Sequence, residues 1–397
     1  MDAQIEMGGQ GRAAQVDFER ADQCPWLQHD WCALEADADG SPFTSWPWIA
    51  TWLATLPAHI EPQVVRVYDD DQVLALGLLV YSRQQGLRRL LGGGILNLQQ
   101  TGDEMLDEIT IEYGGLLVRR GCETQAYTAL LKRFSQDDLM HNELHIPAST
   151  HGPFLQAALP PRWEIHYSRQ RACCVVDLAE VRKSGNGYLD HLSASARSGL
   201  RRTRRAFEQM GEIRLSFAKD AAQALVWLEQ LRELHQRRWH DEGQSGAFDS
   251  HYFHDFHRSL IRHHHDSGLP RLSRVCCGDV VIGYYYYLLH HNRVYFYSSG
   301  VQRGLVSKND RPGLLLHWVA IENDLASGRL SYDFLAGDAA YKKMLGTHCR
   351  SLAWVQAWQS NPCRKTLRWL HRQLTRRSRA ATEMWALADS QELMPLR

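Results

Sequence analysis

Two stretches of this 397-residue chain gather the residue types that group transfer needs. In SYDFLAGDAAYKKMLG, the residues Asp333, Asp338, Tyr341 and Lys342 fall within ten positions at the end of a strand-like run. A carboxylate there, Asp338 first, can take a proton from an attacking amine. The Tyr341 phenol can return a proton to a departing thiolate. The Lys342 ammonium can stabilise an oxyanion or hold an anionic acceptor. The plainer alternative is an Asp–Lys pair that only holds a turn.

The second stretch, YFYSSGVQRGLVSKNDRPGLLLHWVAIE, reads as strand, loop and helix. Backbone N–H groups around Ser298, Ser299 and Gly300 and the helix start at Pro312, Gly313 and Leu314 converge on one point, where a phosphate fits. Arg303, Lys308 and Arg311 add positive charge. The chain has no GxxxxGK[ST] and no GxGxxG, and the preceding strands read as antiparallel, which excludes a Walker loop and a dinucleotide fingerprint. A diphosphate on a meander, loop and helix is what coenzyme A binding demands.

A third stretch places Arg197, Arg201 and Arg204 or Arg205 on one helical face, a stripe suited to a phosphate, a sugar nucleotide or a tRNA backbone. A solvated charged face is the plainer reading. Trp239 and Phe248 flank the loop Asp241–Gly246 and can shape an acceptor pocket with Tyr297, or serve as core aromatics. No GxSxG and no HExxH is present, so direct transfer fits better than a covalent enzyme intermediate. His251, His254 and His257 recur at i, i+3, but match no zinc pattern, and no metal is expected.

These stretches need a frame. Residues 1–20 read as disordered. Residues 21–166 read as a mixed α/β module: a helix at Trp48–Leu56, strands at Gln63–Tyr68, Val73–Tyr81, Leu87–Leu91 and Glu112–Val118, a helix at Glu123–Phe134 and a strand at Glu143–Ile146. Residues 167–380 open on an extended link, Tyr167–Leu178, and a long basic helix, Tyr188–Met210. A strand Glu212–Phe217 and helices Ala221–His240 and Ser250–His265 come next. The meander is Leu269–Val275, Val280–His290 and Arg293–Ser299. Helix Leu314–Ala326, strand Arg329–Leu335, a loop to Leu345, strand Cys349–Trp358 and a basic helix from Pro362 to Arg379 complete it. Residues 381–397 read as a loose tail. Both halves run helix, hairpin sheet, helix, strand, which suggests two similar modules.

Composition sets the class. Charged residues make up 23% and formal net charge is zero, so no global field favours DNA. The start lacks a basic and apolar leader, and no apolar run approaches the roughly 20 residues that span a bilayer. Nine cysteines without Cys-x-x-Cys spacing read as reduced thiols of a cytoplasmic protein.

Ser193–Arg205, LHQRRW at Leu234–Trp239, GAF at Gly246–Phe248, PGLLL at Pro312–Leu316 and YDFLAGDAAYK at Tyr332–Lys342 together resemble the acetyltransferase domain of the CelD-like proteins, over about Gly187–Trp358. That domain is linked to cellulose and exopolysaccharide biosynthesis and is similar in fold to the Fem-type peptidyltransferases. The resemblance implies an α/β fold of tandem GNAT modules, with mixed, mostly antiparallel sheets flanked by helices, the first module degenerate. It implies an acyl-CoA co-substrate, acetyl or longer, lying in a split between the strand that ends at Ser299 and the strand Arg329–Leu335. The acceptor would be an amine on a small molecule, a sugar nucleotide or a polysaccharide precursor. The alternatives are an aminoacyl-tRNA donor, as in Fem-type enzymes, or an inactive partner of a polysaccharide synthase. The usual donor loop, Arg/Gln-x-x-Gly-x-Gly/Ala, is represented only by Gln302-Arg303-Gly304 and Arg311-Pro312-Gly313.

Overall fold

Alternating apolar residues form strands, and three-to-four spacing forms helices, through both halves of the chain. The computed structural model describes residues 14–83, 94–109, 111–136, 141–307, 310–360 and 366. The first half comprises β1 (Gln15–Arg20), α1 (Leu27–Ala36), α2 (Trp46–Thr55), β2 (Gln63–Asp69), β3 (Gln72–Arg83), β4 (Gly94–Leu98), β5 (Leu117–Val118), α3 (Glu123–Gln136), β6 (His141–Ser149), α4 (Gly152–Ala157) and β7 (Trp163–Asp177). The second comprises α5 (Leu178–Ser184), α6 (Ala194–Glu208), β8 (Ile213–Phe217), α7 (Ala221–Asp241), α8 (His251–His264), β9 (Pro270–Cys277), β10 (Val280–His290), β11 (Arg293–Val301), α9 (Pro312–Ala326), β12 (Ser331–Ala336), α10 (Ala340–Leu345) and β13 (His348–Gln359).

The strands make one thirteen-stranded sheet, ordered β1-β2-β3-β4-β6-β13-β7-β12-β11-β10-β9-β8, with β5 beside β3. Only β4–β6 and β11–β12 pair in parallel. The order is a repeat: β1 to β4 and β6 correspond to β8 to β11 and β12. The last strand of each module is exchanged. β7 pairs with β12 of the second module, and β13 lies between β6 and β7.

Period-two alternation divides the core. Tyr284 and Tyr286 of β10 face α7 and α8, in a cluster that also takes Trp31, Trp48 and Trp52 from α1 and α2. Tyr285 and Tyr287 face the opposite layer, with Leu315, Leu316 and Ile321 of α9. The modules therefore share one core.

Several expectations change. Gln15–Arg20, placed in the disordered start, is strand β1 against β2. The link Tyr167–Leu178 lies largely within a central strand of the sheet. The helix expected over Tyr188–Met210 divides, because a 3₁₀ turn ends at His191 and the Ser193 hydroxyl caps α6 by accepting from Ala196 N–H at 3.3 Å. Of Glu112–Val118, only Leu117–Val118 is strand. Cys174 and Cys349 are directly opposite in the β7–β13 register and form a disulfide, which corrects the expectation of reduced thiols. Leu87–Leu91 and the helix after Pro362 lie outside the described residues, Thr366 excepted. No described helix is long and apolar enough to cross a membrane.

Candidate active site

β11 and β12 pair at only three positions, Arg293↔Ser331, Val294↔Tyr332 and Tyr295↔Asp333, and then part. Each parted strand carries an irregularity at that point. In β11, Tyr297 is an extra residue, since Tyr286 faces Ser298 and Tyr287 faces Phe296. Such a bulge bends a strand and re-aims its backbone. In β12, Leu335 takes φ 58°, where the ladder to β7 skips from Asp333 to Ala336. Gln302 N–H donates to Ile282 O on β10 at 2.9 Å. By strand alternation, the backbone of Ser299 and Val301 then faces the gap.

The gap opens into a cavity of about 590 Å³. Phe296, Ser299 and Val301 of β11 form one wall, and Gly313, Leu314 and His317 of α9 another. Leu234, His235 and Arg238 of α7 and Tyr341 and Met344 of α10 close the sides, with Arg303 and Arg311 at the rim. Gly300 permits this wall, since a Cβ there would stand 2.3 Å from Leu231 O on α7. Helix α9 starts at the cavity with no side-chain cap and no acid in its first turn, so its N-terminal dipole is available to an anion. A second cavity of about 530 Å³ shares Asp310, Arg311, Leu314 and Met344 and is walled by Ser195, Gly199, Arg202 and Thr203 of α6.

The polar groups are poised rather than charged. Tyr341 stacks on His317 with ring centroids 5.2 Å apart, and burial pushes its phenol up to about 12, so it keeps its proton. Burial lowers His317 to about 3, and its Nδ1 meets Tyr332 OH at 2.9 Å. His235 Nδ1 lies 3.1 Å from Ser299 O. A carbonyl only accepts, so Nδ1 carries the proton and Nε2 keeps its lone pair. Nε2 is buried, turned from the cleft toward Trp239 and Phe248, and has no hydrogen-bond partner among the described residues. Burial lowers the His235 pKa, and the bond to Ser299 opposes this.

Residues 194–343 match the family model of an acetyltransferase (GNAT) domain. The match spans α6 to α10 and therefore both walls of the cleft. The whole chain is similar in fold to a crystal structure of FemX, with TM-score 0.57 and 12% identity over 86% of this chain and 98% of that one. It is also similar to a conserved protein of unknown function from Bacteroides thetaiotaomicron VPI-5482, with TM-score 0.52 and 10% identity over 84% and 97%. A tandem GNAT protein from the clavulanic acid biosynthesis pathway aligns with TM-score 0.42 and 13% identity over 88% and 99%. No curated protein matches the chain. The fold is α/β, two modules of like strand order, the second of which carries the GNAT-domain match.

Within the second GNAT-like module, the expected donor-side residues come together: Ser299, Arg303, Arg311, Pro312, Gly313 and Leu314 all line the cleft, while Ser298 is buried and Gly300 packs on α7. Lys308 lies outside the described residues. Of the four residues expected to do chemistry, Tyr341 alone lines the cleft. Asp338 is exposed and pairs with Arg171. Lys342 Nζ donates to Leu335 O at 3.2 Å and Ala336 O at 2.7 Å, which fixes the bend of β12, and burial lowers its pKa. Asp333 is buried on the side of the first module and accepts from Tyr113 OH at 2.5 Å and Leu335 N–H at 2.7 Å.

The expected acceptor residues do not gather. Phe248 is core, with its ring 4.9 Å from that of Phe253 and 5.3 Å from that of His235. Tyr297 OH donates to Ile109 O at 2.5 Å. Trp239 stands behind His235 at 5.9 Å. Arg197 donates to Leu192 O at 2.8 Å, and Arg201 is exposed. His257 is buried between Tyr286 OH at 3.1 Å and Tyr297 OH at 3.0 Å. His254 pairs with Glu229. Among the described residues no group of three His, Cys, Asp or Glu is placed to hold a metal.

Sequence reasoning missed His235 and Glu112. His235 follows Leu228 and Leu231 on the buried stripe of α7, and a histidine in an apolar register was its signal. In the first module, β4 and β6 pair from Gly94 to Asn97, and Glu123 occupies the start of α3 and accepts from Gly121 N–H at 3.3 Å.

Proposed function

We propose that the chain is an acyltransferase that moves an acyl group from acyl-CoA, or a similar thioester, to an amine of a sugar nucleotide, an amino acid or a surface-polysaccharide precursor, as the CelD-like resemblance implies. The observation that carries this reading is the parting of β11 and β12 beside the open start of α9. The division into a non-catalytic module, 21–166, and a catalytic one, 167–380, is part of the reading.

The thioester lies between the parted strands. Backbone N–H groups at the Ser299–Val301 edge polarise its carbonyl. Pro312–Leu314, with Arg303 and Arg311, hold the diphosphate, and the nucleotide extends into the cavity beside α6. The amine attacks the carbonyl carbon directly, forming the C–N bond. His235 takes the amine proton at Nε2, once its ring turns that atom out of its buried position toward the cleft, in place of Asp338, which is tied to Arg171. The C–S bond breaks, and Tyr341 donates its proton to the thiolate.

Mass spectrometry of amines incubated with an acyl-CoA panel tests this reading. Tyr341→Phe and His235→Gln should each lower the rate about 100-fold or more, the usual span for a lost proton-transfer group. Unchanged yields in both variants would remove these assignments.

A second reading, transfer from aminoacyl-tRNA, is favoured by the exposed Arg201, Arg202 and Arg205 on α6. It requires tRNA binding that weakens steeply with salt.

A further inference from the structure

The parted strands are not separated by empty space alone. Ile109 and residues 111–113 of the first module lie against both of them. On the β11 side, Ile109 O accepts from Tyr297 OH at 2.5 Å, and the Tyr113 ring meets Tyr295 edge-on at 5.8 Å. On the β12 side, Glu112 Oε2 accepts from Ala336 N–H at 2.6 Å, and Tyr113 OH donates to Asp333 at 2.5 Å.

The Ala336 bond is the telling one. Gly337 N–H donates to Ala172 O on β7 at 2.9 Å. The preceding N–H, on Ala336, therefore faces away from β7, toward the position that β11 would fill if the strands stayed paired. A buried N–H left without an acceptor is costly. Glu112 supplies the acceptor from the other module, and its side chain is 5% exposed. The segment is fixed to its own module as well, since Tyr113, at φ 53°, donates its N–H to Ala148 O at 2.8 Å. The bulge residue Tyr297 is held from the far side by His257.

We propose that Ile109, Glu112 and Tyr113 form a wedge by which the first module keeps the transfer cleft of the second open, with Glu112 as a positioning residue that replaces the missing strand partner of Ala336. The first module then has a role in shaping the cleft of the second. Burial raises the Glu112 carboxyl to about 7, with the Ala336 N–H and Lys342 opposing, so the acceptor does not depend on full ionisation. This inference rests on the acyltransferase reading for its effect on donor binding, but not for its effect on the strand.

Hydrogen exchange of the Ala336 amide and calorimetric titration with acetyl-CoA, on the full chain, test it together. In Glu112→Ala the Ala336 amide should exchange at least tenfold faster, and acetyl-CoA affinity should fall at least tenfold. In Glu112→Gln, whose amide oxygen can still accept, both should stay within about twofold of wild type. A general structural role would not be rescued by Gln. If Glu112→Ala fails to fold, Glu112→Asp, whose carboxylate stops one methylene short of Ala336, carries the same two measurements. Wild-type exchange at Ala336 in the variant that folds overturns the wedge. Wild-type protein without heat from any acyl-CoA overturns the acyltransferase reading instead, and the exchange result then still decides the wedge.

Discussion

At the residue scale, the proposed chemistry rests on two neutral groups whose ionisation is displaced by burial. Tyr341 keeps its proton to about 12. His235 is held below the ordinary histidine value of about 6.5 by burial, so it is mostly uncharged at neutral pH and able to accept. Protonation of His235 removes its lone pair, so kcat/KM should fall as pH drops through a midpoint below about 6.5. No alkaline limb from Tyr341 should appear below about pH 10. A pH profile of wild type against His235→Gln checks this: the acid limb should vanish in the variant, and a limb that persists there belongs to another group. That Arg311, Pro312, Gly313 and Leu314 gather at one place was legible, because a loop and helix start need only local sequence. His235 was not, since its meaning depends on Ser299, 64 residues away. Glu112 was further out of reach, because its partner Ala336 lies 224 residues along.

At the element scale, α9 is the part that must not shift, because its first turn faces the cleft. Its far end is anchored by Asp324, which is 1% exposed in its side chain and takes Arg271 Nη2 of β9 at 2.9 and 3.2 Å. Removing one member of a buried pair strands the other charge, at a cost of roughly 3–5 kcal/mol. Asp324→Ala should therefore lose about that much stability in urea unfolding, and a loss under 1 kcal/mol would show that the pair is not an anchor. The strands and the long helices were legible from their periodicity. The break before α6 was missed because Ser193 lies between Leu192 and Ala194 in an otherwise helix-like run and acts through one capping bond. Glu112–Val118 misled because its apolar residues look strand-like, while its first two residues bind the other module instead.

At the scale of the whole molecule, the sheet is a single object because β7 and β13 are exchanged, bridged by Cys174–Cys349, and because the helices of both modules share a core. The repeated element order was readable in the sequence. The exchange was not, since each strand reads the same whichever neighbour it joins. Residues 178–397 alone lose β7, so β12 keeps only its three pairs with β11, and β13 has no partner. That fragment should fail to give a cooperative thermal transition, and co-expression with residues 1–177 should restore one. A monomeric, cooperatively melting fragment would contradict a shared sheet.

The central claim is that the parted strands and the start of α9 receive a thioester donor. Gly313 lines that cleft, and a Cβ added there meets no atom within 4 Å, so Gly313→Glu places a carboxylate at the anion end without disturbing the packing. Calorimetric titration of acyl-CoA into wild type and Gly313→Glu is the direct measurement. The account predicts saturable heat with wild type and at least tenfold weaker binding in the variant, at an unchanged melting temperature. Equal affinity in the two proteins, or no heat from any thioester with wild type, would contradict it.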